Sequence, residues 1–295
     1  MVQAPVALRV DVDTRRGLHD GVPRLLALFR RLDVVASFFV TMGPDRSGLA
    51  IRRAWRPSFL VKMLRTNPFR LYGVRTLLSG TLLPAQPVGA SAPALLRDIA
   101  AGGHEVAPHG WDHVTWQDRI DRLSSDALRA DFTAAARAFE RALGTAPSAS
   151  AAPGWRTNAA ALVVQEELGL CYASDVRGRM AFRPRVGSGP LKTVQIPTTM
   201  PTMDELLGRT GDIAGALSAA LGDGLNVFTL HAEVEGGPLL EPFSAWLEGL
   251  RRGGRSVVRV RDVADAVLAG PVCDRDVSRG HVAGRSGWVA VTGEA

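Results

Sequence analysis

Short apolar runs of strand length alternate along the chain with longer stretches in which apolar residues recur every three to four positions. The runs at 6–10, 34–40, 105–107, 171–174, 193–196, 226–230 and 256–260 read as strands. Helical periodicity covers 22–32, 92–101, 126–143, 159–168, 211–221 and 242–252. Gly102-Gly103, Gly144 and Gly253-Gly254 follow three of these as C-terminal stops. Alternation of this kind predicts a mostly parallel α/β sheet, open or closed into a barrel. Two segments break the pattern. Residues 43–89 are far longer than an ordinary strand-to-helix loop. Beyond residue 269 the chain turns to Gly, Arg, Ser and Val without clear periodicity, which predicts a flexible or loosely attached tail over 270–295. The expected organisation is one domain over 1–269 that carries an insertion at about 43–89, then the tail; there is no internal repeat.

With 295 residues, 46% hydrophobic and 22% charged, the composition suits one soluble domain or two small ones. No apolar run reaches the length of a membrane span, and the N-terminus lacks a charged-then-apolar leader. The expected location is therefore the cytoplasm. Cys171 and Cys273 are too few for a disulfide framework and do not fit a metal-binding spacing. The net charge of +6 is local. Between Asp45 and Asp98 there is no acidic residue but nine Arg or Lys, which leaves the rest of the chain at −3.

Candidate chemistry lies just after the predicted strands, on the face where barrel enzymes place their active sites. Asp11 and Asp13 end the first strand, and alternation turns both to one side. Read alone, they also suit a polar strand end or a helix cap. His109 and His113 follow the strand at 105–107, and at i,i+4 they can face one ion across a helical turn. Two imidazoles and a carboxylate, with positions left for water, suit a catalytic rather than a closed structural metal site. Zinc, cobalt, manganese and nickel all accept these donors. A second carboxylate beside them can take a proton from the water. His104 precedes its strand and reads as structural, and Asp112 reads as solvated or supporting rather than ligating. The chain reads as a metal-dependent hydrolase.

The insertion adds a second theme. From Pro57 onward, Phe59, Leu60, Met63 and Leu64 share one helical face, Lys62 and Arg65 the other, and Trp55, Phe69 and Tyr72 flank them. Cationic, aromatic and amphipathic character together describe an interfacial membrane segment. The bland alternatives are a solvated loop and a buried lid. A nucleic-acid patch has no need of the aliphatic face, so none is expected.

The Asp-x-Asp, the Gly103-His-Glu-Val106 and the His-x-x-x-His motifs together resemble the polysaccharide deacetylase (NodB-homology, carbohydrate esterase) superfamily. Further segments are similar to a branch that removes formate from a lipid-linked formamido-arabinose. These are Arg9 to Thr14, Gly21 to Leu26, Gly43-Pro-Asp45, Lys62 to Arg65, Leu71-Tyr-Gly73, Gly154-Trp-Arg156, Pro201-Thr202 and His231 to Gly236. The resemblance implies a distorted (β/α) barrel and a bound divalent metal. It makes Asp13, His109 and His113 the metal ligands, Asp11 the catalytic base, His231 the general acid and Asp175 the carboxylate that orients it. Many superfamily members carry an Arg two residues before the proline of Ala151-Ala152-Pro153, where this chain has none; Arg156 stands in for it. Glu233 and Glu235 read either as a solvated loop or as contacts to the sugar or its nascent amine. Arg52, Arg53, Arg56, Lys62 and Arg65 would meet phosphates. The resemblance further implies attachment to the cytoplasmic face of the bacterial inner membrane, and a product used to modify lipid A against cationic peptides such as polymyxin. Two competing readings are a polysaccharide or peptidoglycan N-deacetylase and a catalytically silent binding protein for polyprenyl-phosphate sugars.

Overall fold

The first strand, β1 (Val6–Val12), is buried along its whole length and sends alternate residues to opposite faces. In a computed structural model that describes residues 3–53 and 73–293, both faces are covered. Val6, Leu8, Val10 and Val12 point outward and pack with Leu25 and Phe29 of the helix Val22–Leu32 and with Phe243, Trp246 and Leu247 of the helix Leu240–Arg252. Ala7 points the other way, into a second apolar cluster. Arg9 and Asp11 follow Ala7 by alternation, so the inner face turns polar toward the strand's C-terminal end.

The inner cluster receives side chains from every strand around it: Phe39 of β2 (Ser37–Val40), Ala107 of β3 (Glu105–Pro108), Ala149 of β4 (Ala149–Ser150), Tyr172 of β5 (Tyr172–Ala173) and Val194 of the strand Val194–Gln195. Val227 of the strand Asn226–His231 completes it. All these neighbours run parallel. Few backbone hydrogen bonds join the strands at the two seams. Ala151 N donates to Pro108 O at 3.2 Å, and Thr199 N and Met200 N both donate to Val227 O at 3.2 Å. The result is the expected distorted barrel: two-residue strands and sparsely bonded seams leave the wall irregular. The strand Val257–Arg259 pairs with the opening half of β1. Small inner residues (Ala7, Ala107, Ala149) leave room for Arg9, whose side chain is fully buried.

The predicted helices and strands appear with shifts of a few residues. The helix Ser125–Leu143 starts on the Ser124 cap and stops at left-handed Gly144. The helices His113–Arg119 and Val260–Leu268 and the strand Ala149–Ser150 were not foreseen; each is short or merged with its neighbour in pattern.

The expected loose tail is a correction. Strands Val277–Gly280 and Val289–Thr292 form an antiparallel hairpin whose second strand is buried along its length. Val289 and Val291 pack on Trp155, Ala290 packs with Val176 and Phe182, and Arg177 N donates to Ala290 O at 2.8 Å. The short apolar run Val289-Ala-Val291 was the sequence signal; the Gly- and Arg-rich linker before it obscured it. Among the described residues, no helix is long and apolar enough to cross a membrane.

Candidate active site

The site is built at the C-terminal ends of the parallel strands. Asp13 follows β1 directly. His109 follows β3 directly, and Gly110, with φ +72°, turns the chain back so that a helix begins at His113. That turn, rather than one continuous helix, sets the i,i+4 relation. Asp112 caps the new helix, its Oδ1 accepting from Thr115 N at 3.0 Å and its Oδ2 from Thr115 Oγ1 and Arg46. Its carboxylate is committed to capping and to Arg46, a supporting rather than a solvated place. His104 accepts from Ala36 N at 3.1 Å from the far end of β3 and is structural.

Asp13 Oδ1 lies 3.4 Å from His109 Nε2, and Asp13 Oδ2 lies 3.2 Å from His113 Nε2. One donor atom from each of the three residues lies within 4.8 Å of the others. His109 Nδ1 is 2.9 Å from Ala151 O. A carbonyl only accepts, so Nδ1 carries the proton and Nε2 presents its lone pair inward. Burial, partly countered by Asp11 and Asp13, pushes the His109 pKa down to about 4, so the ring is neutral at physiological pH. Burial opposes charge on His113 too, but Asp13 raises its pKa overall. Burial likewise acts against ionised Asp13, yet His113, His109 and His231 hold its carboxyl well below the usual range. His109 Nε2 and Asp13 Oδ1 are buried without a hydrogen-bond partner. Buried polar atoms rarely stay unpaired, so this converging N,N,O set, two of whose atoms are unsatisfied, fits a divalent cation.

Asp11 adjoins this cluster, with Oδ2 3.6 Å from His109 Nε2. It is gripped from β1 itself: Arg9 Nε donates to Oδ1 and Arg9 Nη2 to Oδ2, both at 2.7 Å. Arg9 Nη1 donates to Ser174 O and Ser174 Oγ. The expectation for Arg156 is therefore corrected. Its Nη1 donates to Gln117 O, and its guanidinium lies 5.0 Å from the Trp288 ring. The arginine on Asp11 is Arg9, reached along the same strand face. Alternation placed it beside Asp11 and Asp13, and that signal was legible.

His231 ends its strand directly opposite Asp11 in the parallel register, so both side chains face the site. Its Nδ1 is buried without a partner, and its ring meets the Trp155 ring edge-on at 6.2 Å. Asp175 does not orient it. Asp175 Oδ1 accepts from Ala152 N at 2.7 Å, and Oδ2 accepts from Gln165 and Gln195 at 2.7 and 3.2 Å. Burial raises its pKa despite these bonds and the nearby Arg9. Asp175 thus anchors the Ala152–Pro153 turn, and Trp155 is the group packed on His231. Trp155 holds φ +52° and lies under three guanidiniums, Arg9, Arg177 and Arg285, at 5.2, 5.0 and 4.3 Å. Nothing in the sequence pattern announces that stack.

Glu233 and Glu235 are buried, which removes the solvated-loop reading. Glu235 Oε2 accepts from His231 N at 2.7 Å, while Glu235 Oε1 and Glu233 Oε2 lack partners. Burial, followed by the charge of Asp13 on Glu233 and of Asp204 on Glu235, pushes both pKa values well above the carboxylate range. Asp131 also escaped the sequence reading; it accepts from Trp111 N and Asp112 N and fixes the loop between the histidines. Of the basic residues expected to meet phosphates, Arg53 instead pairs with Asp118 at 2.7 Å. The side chain of Arg52, together with Trp55, Arg56, Pro57, Phe59, Leu60, Lys62, Met63, Leu64, Arg65, Phe69 and Tyr72, lies outside the described residues.

Comparison with known proteins agrees with this geometry. The polysaccharide deacetylase family model matches residues 3–173. A protein of Shewanella sediminis (strain HAW-EB3), named "Probable 4-deoxy-4-formamido-L-arabinose-phosphoundecaprenol deformylase ArnD", is 41% identical over 78% of this chain and 76% of its own. A protein of the same name from Wigglesworthia glossinidia brevipalpis is 31% identical over 93% of this chain and 97% of its own. In fold, the chain is similar to the crystal structure of Puue allantoinase, with a TM-score of 0.60 at 15% identity over 90% of each chain. With 171 residues of matched family pattern, a 41%-identical relative and the Asp13, His109 and His113 donors in place, this chain belongs to the polysaccharide deacetylase family.

Proposed function

We propose that the protein is a metal-dependent deformylase that hydrolyses 4-deoxy-4-formamido-L-arabinose-phosphoundecaprenol to formate and the lipid-linked amino sugar. The observation that carries the hydrolytic part is a carboxylate fixed by Arg9 beside the Asp13, His109 and His113 donors, with His231 on the adjoining strand. The similarity to the two relatives named for that substrate supports the choice of amide.

Asp13, His109 and His113 would hold the divalent cation. Bound there, it supplies Lewis acidity and an acidified water. Asp11, oriented by the Arg9 fork, accepts the proton of the water that adds to the formyl carbon. His231 delivers a proton to the sugar nitrogen as the C–N bond breaks, so formate and an amine leave. The raised pKa values of Glu233 and Glu235 favour protonated carboxyls, suited to donate hydrogen bonds to sugar hydroxyls.

The new amine is cationic, and its later transfer to lipid A would reduce the negative surface charge met by cationic peptides such as polymyxin. The protein would work at the cytoplasmic face of the inner membrane, held peripherally by the basic amphipathic insertion. The intact donor set speaks against a silent binding protein. Formyl and acetyl versions of one lipid-linked amino sugar separate this reading from an N-deacetylase. Preferential hydrolysis of the formamide is expected, and preference for the acetamide would refute it.

A further inference from the structure

A recess lined by the segment that follows Asp13 has no role in the steps above. Its volume is about 510 Å³; residues 15–20 form one wall and residues 73–86 the other. Arg15, Arg16, His19 and Arg75 line it, against Asp20 and Asp45. The Asp45 carboxylate is committed: Oδ2 accepts from Arg15 N at 2.9 Å, and Oδ1 from Ser47 N and Ser47 Oγ at 3.1 and 2.7 Å. Arg15 donates to Pro87 O and Ser91 Oγ, both neutral acceptors, and with Arg16 and Arg75 it outnumbers the two carboxylates. Arg75 is exposed. Gly73, at φ +75°, is in contact with Arg16, because a Cβ there would meet Arg16 Nη1 at 2.8 Å. The recess is therefore cationic, and its arginines suit an anion with several oxygens.

The recess is tied to the site through the chain that follows β1. Arg15 and Arg16 follow Asp13 by two and three residues, and Arg15 N is held by Asp45 Oδ2 at 2.9 Å, which fixes the first wall relative to Asp13. In a glycosyl phosphate the phosphate and the formamide project from opposite ends of one sugar ring, so the anion site must lie about a sugar's width from the metal donors. An apolar rim adjoins the charges. Seven large apolar side chains are exposed among the described residues, and four of them (Ile51, Val74, Leu82 and Leu83) fall within residues 51–83. Val74 and Leu83 line the recess itself. A phosphate bearing an isoprenoid chain is the ligand with both characters.

The geometry points to this recess as the phosphate subsite: Arg16 and Arg75 hold the phosphodiester of the lipid-linked substrate, and Val74 and Leu83 receive the first isoprene units. This rests on the lipid-linked reading of the substrate, and the test separates the two. Calorimetry on the full chain uses neryl phosphate, inorganic phosphate and nerol as probes. Neryl phosphate should bind at least about tenfold more tightly than either part alone. Arg75→Gln, at an exposed position, and Arg16→Gln should each weaken neryl phosphate by roughly tenfold, and Val74→Ser with Leu83→Ser should weaken it while leaving inorganic phosphate as in the wild type. With the lipid-linked formamide, Arg75→Gln should raise KM by a similar factor and change kcat less than about threefold. Equal binding of neryl phosphate by wild type and both Gln variants would overturn the subsite. So would inorganic phosphate binding as tightly as neryl phosphate, which marks a free-anion site. If the wild type binds neryl phosphate as expected yet releases no formate, the deformylase reading fails and the subsite stands.

Discussion

Arg9 and Asp11 are two residues apart on one strand and meet inside the barrel as a planar fork, two nitrogens on two oxygens at 2.7 Å each. The strand's alternation brings them together, and the small residues around them give the guanidinium its space. A carboxylate held at both oxygens has one orientation, which a base beside three metal donors requires. Lysine cannot reproduce the fork. Arg9→Lys should keep bound metal but lower kcat/KM by about 10²-fold, the scale of loss expected when a catalytic group is misplaced by an ångström. Arg9→Met leaves a buried carboxylate unpaired and should cost about 3–5 kcal/mol in denaturant unfolding. Full activity in Arg9→Lys would mean that the fork is only a structural tie.

Ligand and base have separable signatures. His109→Ala and His113→Ala should lose metal, measured by elemental analysis, and activity together. Asp11→Asn should retain the metal and lose about 10²–10⁴-fold in rate, the usual scale for removing a general base. Metal loss in Asp11→Asn would reverse the roles given to the two aspartates.

His104 sets a pH dependence remote from the metal donors. Burial, with Arg259 nearby, lowers its pKa from 6.5 to about 4, while its Nδ1 accepts from Ala36 N. The folded ring stays neutral where the unfolded one is protonated, so the unfolded state binds more protons between these values. The contribution is fully present above pH 6.5 and is lost as pH falls toward 4, on the order of 2–3 kcal/mol in all. His104→Asn keeps an acceptor for Ala36 and does not titrate. Urea unfolding from pH 7.5 to 4.5 should therefore show a shallower stability loss for His104→Asn than for the wild type; parallel curves would contradict the assignment.

The C-terminal hairpin is the fourth test. Arg285 lies on the Trp155 ring and 3.4 Å from Glu205, which also pairs with Arg177 at 2.9 Å. Trp155 in turn packs on His231. Deleting residues 274–295 should lower the melting temperature by roughly 10 °C and reduce activity. A shorter chain with the melting temperature of the full one would make the hairpin an appendage.

The strand–helix order and the meeting of Asp13, His109 and His113 were legible because both rest on local signals: apolar periodicity, and acidic or imidazole groups just past strand ends. It misled where a role depends on which neighbour gets there first. Asp175 stands near the expected place in the chain, yet Gln165 and Gln195, from a helix and another strand, occupy its oxygen. Arg156 follows the third-motif proline but turns to Gln117 and Trp288. Arg9 was visible in the alternation and needed only the barrel's closure to become the partner of Asp11. The hairpin that carries Arg285 was hidden because four buried residues at the chain's end hardly register in composition.

The central claim is metal-dependent release of formate by the Asp11, Asp13, His109 and His113 constellation. Its most direct test is to strip the protein with a chelator, present 4-deoxy-4-formamido-L-arabinose-phosphoundecaprenol in detergent, and measure formate while one divalent cation is titrated back. The account predicts no formate from the stripped protein and full recovery near one equivalent of metal in the wild type, with none in His109→Ala. Undiminished formate release after complete metal removal would contradict it.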